Sequence, residues 1–165
     1  MAKVKIELKN VQTAAFASEE TTCFSASLYI NDTKVGTARN QGHGGATRIE
    51  AYNKEAQELV KLAEEYCATL PSYKSDHFDL DVDLEFYIDL LVEQSQTARE
   101  LKRLMKNKVV AVKDGDPKGQ YYVLKSPLAS AQRAQDCNPD LRILNLLPFE
   151  EALKLYSVNK YLFEV

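Results

Sequence analysis

The sequence predicts an α+β fold: an antiparallel sheet built from hairpins and packed against two longer helices, in a single domain spanning 1–165. Three observations predict it. Short runs rich in β-branched and aromatic residues are separated by turn residues, first over 4–39 and again over 109–125. Two longer stretches, 48–70 and 83–107, repeat apolar residues at helical spacing. No linker, low-complexity stretch or internal repeat interrupts the 165 residues, a length that can bury a core without disulfide staples.

Val4-Lys5-Ile6-Glu7-Leu8 alternates apolar and charged residues, the period of a half-buried strand, and 10–20 reads as a connection. Thr21 to Ile30 places Phe24, Ala26, Leu28 and Ile30 on one face of a second strand. Asn31 and Asp32 tolerate turn geometry and lead into a third strand, Val35 to Arg39. The glycine-rich stretch from Asn40 follows, with Gly42, Gly44 and Gly45 within four positions. Thr47-Arg48-Ile49-Glu50 fits a capping box, so a helix is expected from Arg48 to about Leu70, stopped by Pro71.

Pro71 to His77 reads as a loop. Strict alternation of acids and apolar residues over Phe78 to Phe86 predicts an extended entry. Near Asp83, a candidate N-cap, it gives way to a second helix reaching about Asn107. Val109 to Lys113 and Tyr121 to Lys125 read as a hairpin joined by the turn-forming 114–119. A short helix within 126–134, a breaker at 136–139, a strand at 141–144, a short helix at 148–156 and a docking tail at 161–165 complete the chain.

Composition narrows the function classes. The hydrophobic fraction is 45% and the charged fraction 27%, ordinary for a globular protein. A net charge of −3 and a pI near 5.5 argue against a dedicated binder of duplex nucleic acid. Cys23, Cys67 and Cys137 form no CxxC pair, which points to idle thiols in a reducing compartment. Met1 to Lys5 shows no signal-peptide pattern and no apolar run is long enough to span a membrane, so a cytoplasmic protein is expected.

The glycine stretch is the candidate site. A flexible loop entering a helix N-terminus offers free N–H groups and a positive dipole to an anionic ligand. Arg39, Asn40, Gly42, His43, Gly44, Gly45, Thr47 and Arg48 are the candidate ligand-binding residues, with the two guanidinium groups and the imidazole supplying charge-assisted contacts. A tyrosine could pack on a base, which favours a nucleotide-type ligand. The loop is neither a P-loop nor a dinucleotide fingerprint, so no cofactor is expected. Asp79, Asp81 and Asp83 alternate with Asp76 and His77 nearby, but the calcium-loop pattern fails because Leu84 and Leu90 stand where glycine and glutamate are needed; no metal is expected. No recognised catalytic motif is present, so no catalytic residue is assigned.

The run Ser18-Glu19-Glu20-Thr21, with Leu28-Tyr29-Ile30, Val35-Gly36 and Asn40-Gln41-Gly42-His43-Gly44-Gly45, resembles small accessory proteins of phage and bacterial genomes. The resemblance covers about the first third of the chain and brings no activity with it. It implies a context: a protein that blunts a host defence by sequestering a nucleotide signal, cleaving it, or plugging a host enzyme.

Three functions are therefore expected in descending order. The first is non-enzymatic binding of an anionic, nucleotide-type small molecule at the loop. The second is inhibition of a host enzyme or nucleic-acid-binding protein through the acidic surface from Asp76 to Glu85. The third is nucleotide hydrolysis through His43. Homo-oligomerisation is compatible with each.

Overall fold

In the computed structural model the described residues are 3–75 and 77–165. The fold is α+β, with a four-stranded antiparallel sheet and two longer helices. The chain gathers into two compact units: residues up to Glu93 with Val165, and Gln94–Glu164.

The N-terminal unit is built on strands β1 (Ile6–Thr13), β2 (Phe24–Ile30), β3 (Thr33–Asn40) and β4 (Arg48–Ala51), paired antiparallel in that order. β1 runs further than its alternation suggests. A bulge between Lys9 and Gln12 and a left-handed Asn10 (φ 54) absorb the break in the pattern. The β2–β3 turn is as expected, with Asn31 and Asp32 both at positive φ, 48 and 64.

β4 corrects the sequence reading. Arg48 to Ala51 is a strand, and the helix α1 runs over Lys54–Cys67. Its cap is Asn53, whose side-chain oxygen accepts from the Ala56 N–H at 2.8 Å. Thr47 cannot serve as that cap, because its hydroxyl donates to Asp89 at 2.6 Å and accepts from Asn40 at 3.3 Å. Arg48-Ile49-Glu50-Ala51 alternates as well as it spirals, and pairing with β3 decides between the two.

Beyond α1, β5 (Tyr73–Lys74) and β6 (Asp79–Leu80) form a small hairpin. The extended entry then gives way to α2 (Leu84–Asn107), where Asp83 caps the helix by accepting from the Phe86 N–H at 2.7 Å. Leu28, Ile30, Val35, Cys67 and Ile88 are withdrawn from solvent in this unit's core.

In the C-terminal unit β7 (Val109–Lys113) is the central strand, flanked by β8 (Tyr122–Leu124) and β9 (Leu141–Ile143). Both faces of β7 are covered. Val110 and Val112 pack with Leu101, Leu144 and Tyr156, while Val109 and Ala111 pack with Ala131, Ala134 and Ile143. That explains a continuous apolar run in place of an alternating one. Helix α3 (Ala131–Cys137) takes in Asp136 and Cys137, which the sequence reads as a breaker; Asn138 closes it, donating its amide back to the Ala134 carbonyl at 2.8 Å. Helices α4 (Phe149–Tyr156) and α5 (Tyr161–Glu164) follow.

The thiols differ sharply in environment. Cys67 is buried, and desolvation pushes its pKa up to about 12, helped by Asp83 and Glu64; Cys23 is half-buried and Cys137 exposed. A thiolate-selective reagent at neutral pH is therefore expected to label Cys137 first, Cys23 more slowly, and Cys67 only at the rate at which the N-terminal unit opens. Labelling followed by peptide mass mapping checks the order.

Candidate functional site

The glycine loop, residues 41–47, is a hairpin connection between β3 and β4 and not an entry into a helix. The helix N-terminus that would have supplied N–H groups and a dipole to an anion is absent from it. Asn40 organises the loop instead. Its side-chain oxygen accepts from the Thr21 hydroxyl and from the Gly42 N–H, both at 2.9 Å. Its side-chain amide donates to the Gly45 carbonyl at 2.9 Å and to the Thr47 hydroxyl at 3.3 Å. An Asn amide has two donors and room for two acceptances, so Asn40 is fully used within the protein and, being buried, offers nothing to a ligand.

Gly42 is turned inward. Its carbonyl accepts from three successive N–H groups, of Glu19 (2.9 Å), Glu20 (3.0 Å) and Thr21 (3.3 Å). That cradle of amides is the kind of concavity an anion would use, and here the protein's own backbone fills it. Gly44 lies against Glu20, while Gly45 faces open space.

The loop borders a cleft of about 670 Å³, within the range of small-molecule and peptide sites. Six of the eight residues expected at the site line it: Arg39, Asn40, His43, Gly45, Thr47 and Arg48; Gly42 and Gly44 do not. The cleft also takes in Val60 and Glu64 of α1 and Glu85 of α2. Glu85 belongs to the acidic alternation, so two features that stand apart in the sequence meet here. Glu64 carries no sequence signal that separates it from the other glutamates on α1; Val60 and Glu64 become neighbours only because they are four residues apart on one helix face.

Charge in the cleft is mixed. The Arg39 guanidinium is taken by Glu50, its neighbour across the β3–β4 face. His43 places Nδ1 3.1 Å from a Glu19 carboxylate oxygen, on an exposed rim. Arg48 is exposed and its side chain makes no hydrogen bond or ion pair among the described residues. Glu64 and Glu85 line the same cleft. Desolvation, then the charges of Asp83, Asp89 and Glu64, push the Glu85 carboxyl above its ordinary pKa. Asp89 is raised by desolvation and by Asp83, with the Thr47 hydroxyl working the other way.

The linkage has a definite sign. A carboxyl whose folded pKa is raised binds its proton more readily in the native state, so its contribution to stability falls as pH rises through the window above the ordinary carboxylate value. Glu85→Gln is expected to be more stable than the wild type at neutral pH by roughly a few tenths of a kcal/mol, and the difference should vanish below the ordinary carboxylate range. Urea melts at low ionic strength across that range measure it.

Among the described residues no group of three or more His, Cys, Asp or Glu is placed to hold a metal ion. Asp76, one of the acids considered for such a site, lies outside the described residues. No helix among them is long and apolar enough to cross a membrane. Comparison with protein families, with curated proteins and with solved structures finds no match.

Proposed function

We propose that this chain is a non-enzymatic binding protein that captures a basic segment of a partner protein in the cleft beside the Gly42–Gly45 loop. The observation that carries this reading is the wall formed by Glu64 and Glu85, with Asp83 and Asp89 close enough to raise the Glu85 carboxyl. Carboxylates that repel one another gain from a cation placed between them. Acidic residues also outnumber basic ones in the N-terminal unit, while the reverse holds in the C-terminal unit. In the context that the resemblance to phage accessory proteins implies, the partner is a host protein with a basic surface, and occupying that surface inhibits it.

The test uses an acetylated, amidated peptide of alternating lysine and valine, followed by fluorescence anisotropy. Replacing both acids, Glu64→Lys with Glu85→Lys, is expected to weaken binding about tenfold or more at low salt and to flatten its salt dependence. Unchanged affinity in the double variant would overturn the reading.

A second reading is favoured by one observation, the Arg48 guanidinium, which has no partner among the described residues and lines the same cleft as His43. It keeps the anionic, nucleotide-type small molecule as ligand, its phosphate on Arg48. A ligand at ~100 times its dissociation constant adds about 2.7 kcal/mol to the folded state. A thermal-shift screen of nucleotides, cyclic oligonucleotides, ADP-ribose derivatives and phosphates would reveal it, and the shift should disappear in Arg48→Ala. Hydrolysis through His43 predicts a cleaved product that His43→Ala abolishes.

A further inference from the structure

We infer that the open edge of β4 accepts the partner's segment as an added strand of the four-stranded sheet, with lysine or arginine side chains on the segment's inner face meeting Glu64 and Glu85. This rests on reading the cleft as a site for a basic partner segment, and adds the way in which that segment binds.

The backbone supports it directly. β4 is the last strand of its sheet and, among the described residues, pairs only with β3. The Tyr52 N–H donates to the Val35 carbonyl at 3.0 Å, which fixes the phase of the ladder. By the alternation of antiparallel pairs, Arg48 and Glu50 then turn their N–H and C=O toward β3, while Ile49 and Ala51 turn theirs away. The Glu50 carbonyl lies so close to Gly36 that a Cβ there would collide with it. Ile49 and Ala51 therefore offer amides and carbonyls to a new strand, the means by which strand addition gains affinity.

The two edges of this sheet differ. β1, at the other side, is broken by the bulge between Lys9 and Gln12 and carries Lys5, Glu7 and Lys9 at or beside it. Bulges and edge lysines are how sheets discourage pairing. β4 has neither; its register with β3 is regular from Gly36↔Ala51 to Arg39↔Arg48.

The cleft also lies where an added strand would run. Arg39, Arg48 and Glu50 line it from the outer face of the sheet, while Ile49, Val60, Glu64 and Glu85 line it from the side of the helices. A space lined by residues of both faces, and by the 40–47 segment at the end of the strands, reaches the edge of β4. Ile49 and Val60 are half-buried and apolar, and Glu64 and Glu85 are exposed acids. A lysine or arginine fits that order, its aliphatic stem on Ile49 and Val60 and its charge on the carboxylates. Alternate side chains of the same segment would point outward past Arg48 and Glu50.

The probe is again the acetylated, amidated peptide of alternating lysine and valine, used with the full chain. Ile49→Pro removes one outward N–H that β3 does not use, in an edge strand that tolerates proline, and Ile49→Ala controls for the lost side chain. The same peptide N-methylated at every backbone amide keeps its charge and loses its donors, which tests the inference even where Ile49→Pro perturbs the fold. Strand addition predicts a loss of about tenfold or more for the N-methylated peptide, and a loss for Ile49→Pro that clearly exceeds that of Ile49→Ala, which removes the packing of the side chain alone. Affinity that falls in the Glu64→Lys, Glu85→Lys protein but survives N-methylation and Ile49→Pro would overturn strand addition and leave the cleft's function standing. Affinity insensitive to all of these changes, or no binding at millimolar peptide, would overturn both.

Discussion

Gly42→Ala is expected to cost the N-terminal unit about 3 kcal/mol or more. Gly42 sits at φ 89, where an L side chain is strained, and a Cβ there would collide with the Ala17 carbonyl oxygen. Neither can yield cheaply, because the same residue's carbonyl holds three amides of the 19–21 segment. The neighbouring glycines should behave differently. Gly44, at φ 81, would meet the movable carboxylate of Glu20, so its replacement by alanine should cost about 1–2 kcal/mol. Gly45 has open space around its Cβ position and no positive φ, and Gly45→Ala should fall within about 0.5 kcal/mol of wild type. Urea denaturation of the three variants, with unchanged m-values, gives the ranking. Equal effects at all three would show that the loop is not held as described.

Asn40→Leu is expected to cost about 2–4 kcal/mol. Leucine keeps the volume and removes all four hydrogen bonds, leaving the Gly42 N–H, the Gly45 carbonyl and the Thr21 and Thr47 hydroxyls to find other partners in a buried site. The damage should reach α2, because Thr47 links Asn40 to Asp89. Hydrogen exchange is the discriminating measurement: amides of the 41–47 loop and of the first turns of α2 should lose protection together. Loss confined to the loop would break that link. Arg48→Ala, by contrast, removes an exposed side chain with no partner among the described residues and should leave stability within about 0.5 kcal/mol.

These variants bear on how much of the molecule its sequence discloses. The β2–β3 hairpin was legible because Asn31-Asp32 is turn chemistry flanked by alternation, and α2 because Asp83 and a long apolar stripe mark its start and course. The Thr47–Glu50 capping box was misleading. A hydroxyl and a carboxylate at that spacing are shared by helix starts and strands, and the choice was made by β3, whose remaining edge is paired by Arg48 to Ala51. With the helix start moved to Lys54, the helix N-terminus no longer stands at the loop, although most of the same residues border a cleft. Glu64 was not legible at all. One glutamate among several on a solvated helix face acquires a role only when Glu85, from a different helix, is brought to the same cleft.

Amide-resolved NMR of the labelled protein, titrated with the alternating lysine–valine peptide, tests the site most directly. The expected result is a set of perturbed amides centred on Ile49 and Ala51, extending to Val60, Glu64 and Glu85, and leaving the C-terminal unit unchanged. Perturbations gathered in the C-terminal unit, or none at saturating peptide, would contradict the assignment of this cleft as the binding site.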